Sequence, residues 1–143
     1  MESDGLERDK FRLLLEQLQD NAKTFRANVW GTMGFLVLVI GSLITSQTLQ
    51  SALSTSPNTA QLTFGVTFFI VVMHTLVLAG VYFRSKRIMF AMKALGYVEP
   101  KFYKYYSITL AHLSASASID LALFVLIAII IANLGHVSFL YLW

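Results

Sequence analysis

Three apolar blocks dominate this chain: Val29–Thr45, Leu62–Phe83 and Ile119–Leu134. Crossing a hydrocarbon core takes about 20 residues of helix, with a range of roughly 17–25. The second block fits directly. The first fits with Thr45–Gln47 at the interface. The third fits if it runs to His136 or starts within the serine stretch before it. Backbone polar groups in lipid must be satisfied locally, and strand-like alternation is absent, so helix is the expected spanning form. Only 13% of the 143 residues are charged, against about 25% in an ordinary soluble domain. A soluble helical hairpin would lack the polar surface to cover three such blocks. The first block follows 28 residues of mixed charge, which does not fit a secretory signal.

The charges are fully segregated. Arg8, Lys10, Arg12, Lys23 and Arg26 precede the first block. Arg84, Lys86, Arg87, Lys93, Lys101 and Lys104 lie between the second and third. The segment between the first two blocks and the tail after the third carry none. The positive-inside rule therefore predicts a cytoplasmic N-terminus and an external C-terminus, in a plasma (bacterial inner) membrane. Trp30, Tyr82, Tyr105, Tyr106, Tyr141 and Trp143 fall near the predicted span ends, as interfacial aromatics do.

The expected fold is thus an all-α integral membrane protein with three long transmembrane helices and helical extensions on the cytoplasmic side. A cytoplasmic amphipathic helix covers 1–28 and the first span 29–47. A short uncharged external loop follows at 48–61, then the second span at 62–83. A basic cytoplasmic helical segment covers 84–111, broken near 96–100, where Gly96 and Pro100 read as a helix stop. The third span is 112–137 and an external aromatic tail is 138–143. In the first segment apolar residues recur at Phe11, Leu15, Leu18, Ala22, Phe25 and Val29, a spacing that makes a coiled-coil-like seam. Charges at Asp4–Arg8, Glu7–Lys10, Asp9–Arg12 and Asp20–Lys23 suit its solvated face. Its acids exceed its bases by one, which favours packing on other helices over lying on anionic lipid.

Asp120 is the only acid in or beside a span. On a helix it shares a face with His112 and Ser116. A carboxylate there is expected to lock two helices together, to line a polar path with Ser114, Ser116, Ser118 and His112, or to sit solvated at the interface. His112, Arg84, Lys86 and Arg87 are its expected partners. His74 falls mid-span, on a face with Thr63 and Thr67, and is expected to bond a neighbouring helix or a backbone carbonyl, or with Thr67 to join a polar path. Gly31, Gly34 and Gly41 on the first span, and Ala111, Ala115 and Ala122 with Ser118 on the third, suit close helix packing within or between chains. The basic set Arg84, Lys86, Arg87, Lys93, Lys101 and Lys104 is expected to serve as the topology signal alone, or to meet anionic lipid headgroups or a partner as well.

No catalytic motif is present, and the chain has no cysteine. No enzymatic activity, cofactor, metal or nucleic-acid partner is therefore expected. The first functional expectation is a self-associating protein that forms or gates a pore, similar in layout to small bacterial membrane effectors. The alternative is an accessory or anchoring subunit of a larger membrane complex. A redox subunit using the histidines is a third class, and lacks a partner motif.

Overall fold

The computed structural model describes residues 2–96 and 107–135. Among them every regular element is α-helical: α1 (Glu2–Thr45), α2 (Gln47–Thr55), α3 (Pro57–Ala94) and α4 (Leu110–Gly135). At 1.5 Å rise per residue, α1 is about 66 Å of helix and α3 about 57 Å. α1, α3 and α4 each contain a stretch long and apolar enough to cross a membrane.

Two compact units are distinguishable. The first comprises α1 up to Val29, α3 from Leu76, and the chain up to Ser114 that opens α4. The seam predicted from Phe11 to Val29 forms here. Leu18 is fully buried with Ile88 and Met92, flanked by Phe11, Leu14 and Leu15. Phe25 packs with Leu78, Val81 and Ile108. The charged residues of α1 from Glu7 to Arg26 are exposed. Asp20 pairs with Lys23 at 3.9 Å, as the spacing suggests, whereas Arg12 pairs with Glu16 at 3.3 Å and not with Asp9. Both pairs are exposed and add little stability. α3 ends at Ala94, and Gly96 takes φ +78°, a left-handed conformation that glycine adopts without a Cβ penalty. The rest of the expected break, with Lys101 and Lys104, lies outside the described residues.

The second unit runs from Trp30 to Thr75 and takes in α4 from Ala115. Its core joins Leu36 and Leu43 of α1, Leu53 of α2, Ala60 and Val71 of α3, and Ile127 and Ile131 of α4. Phe124 seats against Phe64 and Phe68, with ring centroids 5.1 and 5.7 Å apart.

The 48–61 segment differs from the loop read from its composition. Residues 47–55 are helical, and α3 starts at Pro57 rather than near Leu62. Ser46 caps α2 by accepting from the Leu49 N–H at 3.3 Å. Ser56 at the cap and Pro57 at the first helical position start α3, where a missing N–H does no harm. The hydroxyls of Ser51, Ser54 and Thr55 donate to carbonyls of their own helix, and Leu53 is buried. Polar composition thus conceals a short helix with one apolar edge. Gln50 Nε2 donates to the carbonyls of Leu43 and Ile44, at 3.0 and 2.6 Å, supplying partners that the end of α1 lacks. Gln50→Ala is expected to lower the unfolding free energy by about 1 kcal/mol. Denaturant titration in mixed micelles measures this.

The outward faces of the helices are apolar. Leu38, Phe69, Leu76 and Leu121 are all more than half exposed, and Val125 and Ile129 nearly so. Patches of this extent are untenable in water and ordinary in lipid. The packing glycines also turn outward: Gly31, Gly34 and Gly41 are exposed, and a Cβ added to any of them would meet nothing within 4 Å. Ala111, Ala115, Ser118 and Ala122 are exposed as well. The contacts within the chain are therefore made by leucine, isoleucine and phenylalanine, and these small residues do not pack α1 or α4 against the rest of it.

Candidate functional site: a buried histidine–aspartate pair

The inward face of α3 follows one spacing for its whole length. Ala60, Phe64, Thr67, Val71, His74, Leu78, Val81, Ser85, Ile88 and Met92 step by four and three, and all are buried or half-buried. This 3.5-residue period is the seam of left-handed helix packing. On α4 the inward face reads Ser116, Asp120, Leu123 and Ile127 with the same steps. Each helix thus carries one ionisable side chain on its inward face within the second unit.

They meet. His74 Nδ1 lies 2.6 Å from Asp120 Oδ2, and both side chains are at least 95% buried. The contact is a hydrogen bond between the ring nitrogen and the carboxyl oxygen, whose donor is set by the histidine tautomer. Nε2 of His74 is buried and has no hydrogen-bond partner. Thr67 and Ser116, both buried, stand on the same faces two turns and one turn away. The Thr67 hydroxyl donates to the carbonyl of Thr63 at 2.8 Å, so it is satisfied within its own helix.

The partner of Asp120 is thus His74, and not His112 or the bases after the second block. His112 is exposed and serves the start of α4. Its N–H donates to Thr109 Oγ1 at 3.3 Å, while the Thr109 N–H donates to His112 Nδ1 at 3.2 Å. This is the reciprocal arrangement of a capping box, with histidine in place of the usual Glu or Gln. Arg84, Lys86 and Arg87 are exposed, and Lys86 lies over the Tyr82 ring at 5.6 Å. Lys93 is exposed too. Ser114 and Ser118 point away from Asp120: they are exposed, while Ser116 is buried beside it on the inward face. The continuous row of serines expected to line one path is therefore divided between two faces of α4.

Three apolar helices long enough to span a membrane, with an ionisable pair buried between two of them and only helix among the described residues, are the features of an α-helical membrane protein. Comparison with protein-family models, with curated proteins and with solved structures gives no match.

Proposed function

We propose that this chain is a plasma-membrane protein, N-terminus in the cytoplasm and C-terminus outside, that self-associates to form or gate an ion path. The observation that carries this reading is the His74–Asp120 pair, with His74 Nε2 left without a partner. Inserting a carboxylate at mid-span costs about 2.5–3.5 kcal/mol. Apolar side chains would hold two helices together without that cost. Ionisable groups kept inside a membrane despite it commonly serve ion or proton movement. In this reading copies assemble through the outward small residues, and Ser114 and Ser118 face the assembly rather than the chain's own interior.

The test is ion and proton flux in vesicles containing the purified chain. Wild type is expected to conduct. His74→Leu/Asp120→Leu, which keeps the helices matched at this position, is expected to lose conduction. Vesicles that stay tight at high loading, or unchanged flux in the double variant, would overturn the reading.

The long helices favour a second reading, an anchoring subunit of a larger complex. α1 and α3 far exceed the hydrocarbon thickness of about 30 Å, which leaves helical surface for docking another protein. Stoichiometric co-purification of another membrane subunit with a chain that does not conduct would favour it.

Orientation has its own test, since the chain contains no cysteine. In intact cells a membrane-impermeant maleimide is expected to label Ser54→Cys and to spare Lys10→Cys and Lys93→Cys. The inverse pattern would reverse the topology.

A further inference from the structure

The first unit contains an open groove of about 410 Å³, lined by Gln17, Asp20 and Asn21 of α1 and by Arg84, Arg87 and Ile88 of α3. Each helix contributes positions i, i+3 and i+4, so the groove runs between two facing surfaces. Arg84 and Arg87 are exposed, and neither forms an ion pair among the described residues. Asn21 is 7% exposed, and its Nδ2 is buried with no hydrogen-bond partner. Leu18 packs with Ile88 and Met92, and Phe25 packs with Leu78 and Val81. Asn21 and Ser85 therefore fall at the intermediate level, and Ser85 Oγ is also buried and unpartnered. Two guanidinium groups without an ion pair thus face a groove whose inner wall is polar and holds buried groups with unmade hydrogen bonds.

We infer that this groove binds a phosphodiester monoanion. Guanidinium forks match phosphoryl oxygens in pairs, and Arg84 and Arg87 lie one turn apart to do so. The Asn21 carboxamide supplies a neutral donor from the buried side, and Gln17 a further polar group along the groove. Asp20 is the discriminating element. Its carboxylate lowers the charge of the groove lining to one positive, with its partner Lys23 outside that lining, and so disfavours a dianion relative to a diester. It also accepts from a hydroxyl or ammonium on the ester substituent. Arg84 is the first charge after the apolar block, a position where membrane phosphodiesters are found. Lys86, stacked on Tyr82, lies outside the groove and takes no part. The inference is independent of any ion path.

The test is calorimetric titration of the full chain in an uncharged detergent. The probes are dihexanoyl-phosphatidylglycerol, its deacylated headgroup glycerophosphoglycerol, and inorganic phosphate. One saturable site per chain is expected for the lipid. Equal binding of the deacylated headgroup identifies a free phosphodiester as sufficient, and binding of the acylated form alone identifies lipid as the source. Either result supports the site. Arg84→Gln and Arg87→Gln are each expected to weaken binding by about tenfold. Asn21→Leu is expected to weaken it similarly while leaving thermal stability equal or higher, since an orphaned polar group is removed. Lys86→Gln is expected to stay within about twofold of wild type. The inference is overturned if no probe saturates, or if inorganic phosphate binds more tightly than the diesters. It is equally overturned if Lys86→Gln weakens binding as much as Arg84→Gln, or if Asn21→Leu binds as wild type does.

Discussion

Asp120→Leu and His74→Leu are each expected to destabilise the folded chain by about 3 kcal/mol, and the double variant by far less than the sum. Each single change leaves the other partner buried with its hydrogen bond gone. His74 is the worse survivor, because its Nε2 already lacks a partner and Nδ1 would join it. The double variant removes both partners, with the orphaned Nε2, and places two leucines on seams that are mostly apolar. Asp120→Asn is expected to fall in between, at about 1 kcal/mol, because the amide oxygen still accepts from Nδ1. Unfolding titrations of the four chains in mixed micelles give the coupling directly. Additive losses would show that the pair contributes no interaction energy, despite its 2.6 Å separation.

That pair was only half legible in the sequence. Asp120 stands out as the lone acid near a span, and His74 as a mid-span histidine expected to bond another helix. Their meeting was hidden by depth. The serines before Ile119 blur where the third span begins, so Asp120 reads as near the inner edge or nearer the middle, and His112 and the bases after the second block stay among its expected partners. α4 in fact starts at Leu110, which makes Asp120 its eleventh residue. The signal that would have joined them is the 3.5-residue spacing carried by both helices, with each ionisable residue on its helix's inward seam. Between Phe11 and Val29 the same spacing sits in a polar background and is plain. Within an apolar span it is lost, because leucine and phenylalanine also occupy the lipid-facing positions. The same uniformity explains the glycines. In the sequence Gly31, Gly34 and Gly41 suggest close approach, but only a structure shows that they turn outward. The helix at 47–55 was obscured for the opposite reason: serine, threonine and glutamine satisfy their own backbone there, in a composition that ordinarily marks a loop.

The interior of the second unit also separates two roles that the serine-rich start of α4 had combined. Ser116 and Asp120 belong to the inward seam, where close packing and one hydrogen bond hold α4 to α3. His112 is committed to the helix cap. Ser114 and Ser118 face outward with Ala111, Ala115 and Ala122, so one side of α4 is small and weakly polar where the rest is bulky. In the proposed reading the path opens through the pair, and the leucine pair at 74 and 120 abolishes it. A path built on the outer side alone would be blocked by Ser118→Leu, would leave that double variant conducting, and would overturn the reading.

Leu18→Asp is expected to be among the most damaging single changes in the first unit, while Leu13→Asp, five residues away on the same helix, is expected to be nearly silent. Leu18 is fully buried against Ile88 and Met92, whereas Leu13 is 56% exposed. A carboxylate at Leu18 would be desolvated with no partner, and the loss is expected to exceed the roughly 3 kcal/mol of a leucine-to-alanine cavity. The comparison decides what the first 28 residues are for. A helix lying on lipid would bury Leu13 and Leu18 to similar extents, and both aspartates would release it. A helix packed on α3 responds to Leu18 alone. Limited proteolysis of the chain in detergent reads the difference. Cleavage within 1–28 should accelerate at least tenfold in Leu18→Asp and remain at the wild-type rate in Leu13→Asp. Equal sensitivity in the two variants would return this segment to the membrane surface and dissolve the groove between α1 and α3.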